Sequence, residues 1–246
     1  MDNIAIVTAK GGSRELPDKN TLPVLGKPLV AHVLEAALAA AHINAVAIST
    51  ECPKIKHIAS AYPVTVIDRP LDLAQDMTNH GDVILHAAKA FQAQYPAPLG
   101  HVCILLGNTT MVSAADIDAT VEKLDAIPEA DSCMTVWRSQ DDHPYRAMRV
   151  NADGYLEGFL DLSGVDSNRQ SYPQVVFYDQ GPWVVRHASL LKAEELRHGP
   201  ACWWWMGRCV PLERPWVAGR DVHNAFDLEA AEWWLRRSAS PAGKGV

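Results

Sequence analysis

Short apolar runs, several rich in β-branched residues, alternate with segments of helical spacing as far as Trp137, and this alternation limits the fold more than any other feature of the chain. Ile4–Thr8 reads as a strand and leads at once into Gly11-Gly12. Leu29, Val33, Ala37 and Ala41 recur at helical intervals, and Ala45–Ser49 and Val64–Ile67 read as further strands. Asn79 is placed to cap a helix whose Val83, Ile84, Ala87, Ala88 and Phe91 share a face. Val102–Leu106 is a continuous apolar run of the kind that a parallel sheet buries on both faces. Ser113 and Asp116 have capping-box spacing at the head of a helix reaching about Leu124, and Cys133–Trp137 is another strand. Strands separated by helices predict βαβ units in an α/β fold with a mostly parallel sheet. Right-handed crossovers would gather the loops after the strands along one edge, where such sheets bind ligands.

From about residue 138 to 172 turn and polar residues take over (DDHP, NADG, DLSG, DSNRQS), which predicts an insertion of irregular strands within a single domain over residues 1–237. Val175–Tyr178 and Trp183–Val185 read as two further strands. Asn224 opens a last helix over Ala225–Arg237, with Asp227 at capping distance, and residues 238–246 read as a flexible tail. A chain of 246 residues can bury roughly 70–75% of its unfolded surface, enough to need no disulfide or structural metal. The five cysteines agree: no pair has CxxC spacing, and Cys103 and Cys133 sit inside apolar strands. The N-terminal apolar run is too short for a signal peptide and no stretch reaches the ~18 residues of a membrane span, so the expected compartment is the cytoplasm.

The formal charge is −7, from 22 basic and 29 acidic residues, which argues against a nucleic-acid surface. An anionic ligand would therefore need cations gathered locally. They are gathered in Thr8–Asn20, directly after the first strand, where Lys10, Arg14 and Lys19 surround Gly11-Gly12. Adjacent glycines let backbone N–H groups approach an anion closely. The pattern is neither a Walker A loop nor GxGxxG, which disfavours the P-loop and dinucleotide readings.

The segment AKGGSRELPDKN (Ala9–Asn20) resembles the ARGGSKGIPxKN motif of the cytidylyltransferases that activate acidic sugars, the CMP-sialic acid synthetase (acylneuraminate cytidylyltransferase) family. The resemblance continues in order over roughly residues 3–235: GKPL (Gly26–Leu29), RPLDLAQD (Arg69–Asp76), LLGNTT (Leu105–Thr110) for LLQPTS, Arg169-Gln170, Gln180-Gly181, and DVHN (Asp221–Asn224) within the family's IDIDT, followed by DLEAAE. It implies a three-layer Rossmann-like nucleotidyltransferase fold that forms a homodimer through the irregular β insertion. It also implies attack of an acceptor oxygen on the α-phosphorus of CTP with release of pyrophosphate, the acceptor being a sialic-type nonulosonic acid sugar. Such a step rests on positioning and on stabilising phosphoryl charge.

By the same resemblance, Lys10, Gly11, Gly12, Ser13, Arg14, Lys19 and Asn20 hold the triphosphate, and Lys19 is the catalytic electrostatic stabiliser. Arg69 and the backbone near Thr78 face cytosine, while Asn108, Thr109, Arg169, Gln170 and Gln180 line the acceptor. Asp221, counted with Lys19 as catalytic, and His223 would carry Mg²⁺, with Mn²⁺ better suited to the imidazole. Strand alternation would place positions 221 and 223 on one face. Alternatives stand beside these roles: a solvated strand-end arginine for Arg69, a salt bridge within the insertion for Arg169, a loop cap, the favoured reading, for Asp76, and for His223 a substrate contact, a proton acceptor or an ordinary polar residue before a helix.

Four departures put the specific substrate in doubt: Gly107 for Gln and Ser113 for Arg on the acceptor side, Glu15 for Gly beside the phosphate loop, and His223 for the second metal Asp. They motivate two rivals, a cytidylyltransferase acting on a small phosphonate and a nucleotide-binding protein that has lost catalysis. The eight Trp outnumber the four Phe, and the excess at Trp203-Trp204-Trp205, Trp216, Trp233 and Trp234 should cover an interface or an acceptor pocket, an interface first, with ordinary core packing as the alternative.

Overall fold

The computed structural model of the chain describes residues 1–13, 16–138, 142–192 and 207–238. Arg14, Glu15, the Trp203–Trp205 run and residues 239–246 of the expected tail lie outside the described residues.

The expected alternation is present: β1 (Asp2–Thr8), a short hairpin of β2 (Pro23–Val24) and β3 (Lys27–Pro28), α1 (Leu29–Ala39), β4 (Ala45–Thr50), α2 (Pro53–Ala59), β5 (Thr65–Asp68), α3 (His80–Gln92), β6 (Leu99–Leu106), α4 (Ala114–Asp125) and β7 (Ser132–Arg138). The caps form where the sequence placed them. Asn79 Oδ1 accepts from Gly81 N, and Ser113 and Asp116 exchange both bonds of a capping box. The second half adds the hairpin β8 (Met148–Val150) and β9 (Leu156–Gly158), then β10 (Val176–Arg186), α5 (His187–Lys192), β11 (Cys209–Glu213) and α6 (Ala225–Ser238). The two strands expected at 175–178 and 183–185 are one, β10, because pairing with β7 resumes after a register irregularity between Tyr178 and Trp183.

The main sheet runs β11-β7-β10-β6-β1-β4-β5. β1 pairs in parallel with β4 and β6, β4 with β5 and β7 with β11, whereas β10 is antiparallel to both neighbours. The run at Val102–Leu106 is therefore parallel on one side only. It is still buried throughout its core because helices cover both faces.

Alternation along the strands supplies the two cores. Ala5 and Val7 of β1 and Cys103 and Leu105 of β6 face α1, α2 and α4, through Val33, Ile55 and Val121. Ile4, Ile6, Val102 and Ile104 face α3 and α5, through Ile84, Phe91 and Leu190. This gives three layers. A third cluster, with Val24, Leu29, Met111 and Val222, seats α6 through Ala231 and Trp234. Burial pushes the thiols of Cys103 and Cys133 up, so both act as small apolar groups. After β1 the chain moves outward to β4 and β5, then returns to β6 on the other side, so the order reverses between β1 and β6. A crevice opens at such a point beyond the carboxyl ends of the strands.

Candidate active site

The loop after β1 is fixed by contacts from three directions. Ala9 N donates to Ser49 O at 3.1 Å and Gly107 N to Thr8 O at 2.9 Å, extending the ladders past both strand ends. The amide of Asn20, a buried residue, donates to Lys10 O at 2.9 Å and ties the turn at Lys19–Thr21 back to the loop. Gly12 has φ +60°, a left-handed backbone that glycine adopts without strain.

A cavity of about 580 Å³ lies over this loop, lined by Lys10, Gly12, Ser13, Lys19 and Asn20 and by Arg69, Asn108 and His223 from other loops. Most of the nucleotide-side residues thus share one crevice. Thr78 is not among its lining residues: its hydroxyl donates to Asp72 O at 3.0 Å within the preceding loop.

Arg69 is buried rather than solvated. Its Nε donates to Ser49 Oγ at 3.2 Å and Nη2 to Ser49 O at 2.7 Å. Burial lowers its pKa, and Glu51 partly opposes the shift. Asp76, expected as a cap, is ion-paired with Lys10 Nζ at 2.5 Å, and Asn79 is the cap of α3. Gly11 N donates to Glu51 Oε1 at 2.6 Å, so a carboxylate already occupies one N–H of the loop.

Asp221 and His223 do converge, with His223 Nε2 2.9 Å from Asp221 Oδ1. They do so on an irregular segment before α6 and not by strand alternation. That segment is held from both ends. Asn108 Nδ2 donates to Asp221 Oδ2 at 2.9 Å and to Val222 O at 3.1 Å. Asp227 accepts from Arg220 and from the backbone of His223 and Asn224. Burial pushes the Asp227 carboxyl up, but these donors outweigh it and hold it below its usual range. Among the described residues no group of three or more His, Cys, Asp or Glu side chains could hold a metal ion. At this pair a magnesium ion would have Asp221 as its carboxylate and would fit with phosphate oxygens and water completing its shell; the crevice's other lining carboxylate, Asp76, is paired with Lys10.

The acceptor-side residues are dispersed. Asn108 orients Asp221 as well as lining the crevice. Thr109 is buried, its hydroxyl donating to Leu106 O at 2.7 Å. Arg169 and Gln170 sit exposed in a turn of the insertion and line none of the cavities described here. Gln180 lines a smaller depression that shares His223 with the main crevice. Ser113 is engaged in its helix cap.

Three residues join the site without a prior reading. Thr8 and His80 form part of the crevice, with Thr8 Oγ1 2.9 Å from His80 Nε2. Burial, aided by the Arg69 charge, lowers His80 to about 4, which keeps the imidazole neutral beside a guanidinium. Glu51 stands behind the loop. Each was visible in principle, since Thr8 and Glu51 end or follow strands at the ligand-binding edge and His80 follows the cap Asn79.

Residues 4–150 match the family model described as cytidylyltransferase. The chain is 30% identical over 169 residues, 68% of its length, to N-acylneuraminate cytidylyltransferase of Escherichia coli, and covers 38% of that protein. It is 29% identical over 124 residues, half its length, to pseudaminic acid cytidylyltransferase of Campylobacter jejuni, and covers 53% of it. Thus the chain spans less than two thirds of the length of either relative. Among solved structures, CMP:2-keto-3-deoxy-manno-octonic acid synthetase complexed with CTP has a TM-score of 0.70 at 16% identity, over 97% of this chain and 100% of that one. A 4-diphosphocytidyl-2C-methyl-D-erythritol synthase from Anaerococcus prevotii has a TM-score of 0.63 at 15% identity, with 96% of each chain covered. These structural likenesses concern the fold.

Proposed function

The chain belongs to the cytidylyltransferase family, and from that premise we propose that it transfers the cytidylyl group of CTP to an acidic acceptor, a sialic-type nonulosonic acid sugar, releasing pyrophosphate. The observation that carries this reading is the convergence of Lys10, Lys19 and Arg69 with Asn108 and the Asp221–His223 pair on one crevice at the sheet's switch point. Cations on the glycine loop side suit a triphosphate, and Lys19 is the stabiliser of charge on the reacting phosphate. Arg69, held rigidly by Ser49, faces the base. The ion pair of Lys10 with Asp76 and the bond of Gly11 with Glu51 must yield, or share their donors, when phosphates arrive. Asp221 would hold Mg²⁺, which supplies Lewis-acid stabilisation of phosphate oxygens when bound. The reading takes the protein as a cytoplasmic homodimer, for which the exposed Tyr155, Leu156 and Phe159 of the insertion are the natural contact. No helix among the described residues is long and apolar enough to cross a membrane.

A small phosphonate acceptor is favoured by one set of observations: Gly107 offers no side chain, Ser113 is taken up by its cap, and Arg169 is not among the residues that line the crevice. A pyrophosphate-release screen with CTP and Mg²⁺ or Mn²⁺ tests both readings. Turnover with a sialic-type sugar is expected, and turnover with phosphonates alone overturns the first acceptor class. Tight CTP binding with no release across the whole panel overturns catalysis itself.

A further inference from the structure

The carboxyl edge of the sheet carries two more depressions beyond the nucleotide crevice. The nearer, about 250 Å³, shares His223 with the crevice and is walled by Gln180, Arg220 and Trp216. The farther, about 490 Å³, shares Trp137 and Trp216 with the nearer and is closed by Arg138, Glu213 and Arg214. The shared walls make one groove, running from β1 and β6 across β10 and β7 to β11.

The far end is built from fixed groups. Trp137 stacks on Phe177 with centroids 4.9 Å apart, and it meets Trp216 edge-on at 6.5 Å. The Arg220 guanidinium lies 5.1 Å from the Trp216 ring centre. Arg138 donates to both carboxylate oxygens of Glu213, at 3.1 and 2.8 Å. Arg214, only 6% exposed, is anchored by Asp179 Oδ2 at 3.1 Å and by the carbonyls of Gly181 and Ala218, both at 2.8 Å. Its Nη1 lies 3.1 Å from Asp116 Oδ2 but is buried without a well-directed hydrogen bond.

Indole faces beside compensated charges suit an uncharged, hydroxylated carbon chain. Its C–H groups would cover the rings, and its hydroxyls would meet the Arg138–Glu213 pair that lines the same depression. A second anion gains little here, because each arginine already faces a carboxylate. A small acid would end in the 250 Å³ section and leave the 490 Å³ section unused.

We propose that the far end of the groove is a subsite for the uncharged polyhydroxylated tail of the acceptor, the part remote from its reacting oxygen, with Trp137 and Trp216 as specificity-determining residues. This rests on the cytidylyltransferase reading above and extends it to the acceptor's length.

The test compares wild type with Trp216→Ala, chosen because Trp216 is 47% exposed and its truncation leaves no sealed core cavity. Pyrophosphate release is measured with CTP and either a nine-carbon acid sugar or a shorter acid acceptor lacking the tail, and thermal unfolding checks the fold. The expected result is a rise of about ten-fold or more in KM for the nine-carbon acceptor, the loss that a buried aromatic anchor entails. KM for CTP and for the short acceptor should move less than about two-fold. If wild type turns over the long acceptor and the variant does so with the same KM, the subsite is overturned while the enzymatic reading stands. If wild type neither binds nor turns over any acid sugar, the sugar-acceptor reading falls and the subsite with it, while release with a phosphonate would leave the cytidylyltransferase reading standing.

Discussion

Gly107 closes β6 at the point where the glycine loop leaves β1, and adding one methyl group there should damage both stability and the site. A Cβ at 107 would lie 2.7 Å from Ala9 Cβ, 3.1 Å from Asn20 Oδ1 and 3.3 Å from Thr8 O. Carbon atoms in contact prefer about 3.5–4.0 Å, so Ala9 must retreat by roughly 1 Å. None of these neighbours is a loose side-chain tip. Ala9 is bonded to Ser49 O at 3.1 Å, and Asn20 is buried and tied to Lys10 O at 2.9 Å. Overpacking of this kind costs about 1–3 kcal/mol, so Gly107→Ala should lose about 2 kcal/mol and Gly107→Gln more. The displaced groups carry Lys10 and the turn of Lys19. A misplacement of about 1 Å at a phosphate site costs on the order of 10²-fold in rate. Urea unfolding followed by fluorescence reads the first effect, and kcat/KM for CTP in pyrophosphate release reads the second. An unchanged urea midpoint together with kcat/KM within about two-fold of wild type would refute the packing argument.

Lys19→Ala should leave unfolding near that of wild type while reducing kcat by about 10² or more, and near-normal pyrophosphate release would remove Lys19 from the chemistry. His80, neutral in the fold with a pKa of about 4 against 6.5 unfolded, contributes stability that is complete above pH 6.5 and lost as pH falls toward 4. The full span is at most roughly 3 kcal/mol; the slope of stability between pH 6.5 and 4 should flatten in His80→Asn, and an unaltered slope would show that the ring is not held neutral. Asp221→Asn should weaken the response of turnover to Mg²⁺ by about ten-fold or more, whereas His223→Asp should strengthen it relative to Mn²⁺, because a second carboxylate suits the harder ion. An identical metal titration in all three proteins would separate this pair from the metal.

The sequence alone determined the layers, because hydrophobic periodicity and cap residues act locally: Ile4–Thr8, the Asn79 cap and the Ser113–Asp116 box are formed as their spacing requires. It also determined the glycine loop and the family, since both are carried by contiguous motifs. It missed the strand Cys209–Glu213 and read β10 as two pieces, because strand pairing is decided by partners more than 30 residues away. Long-range packing also decided the chemistry within the motifs. Arg69 is buried because Ser49 receives it, Lys10 is paired because the loop before α3 brings Asp76 within 2.5 Å, and His80 loses its charge by enclosure beside Arg69. Asp221 meets His223 through an irregular segment held by Asn108, 113 positions away. The tryptophans divide in the same way. Composition recorded an excess, but only the tertiary structure puts Trp137 and Trp216 on the groove, Trp183 and Trp234 in the packing, and Trp233 at the surface under Arg237. Residue type and spacing fix what a side chain can do; its charge state and its neighbours depend on burial against segments distant in the chain.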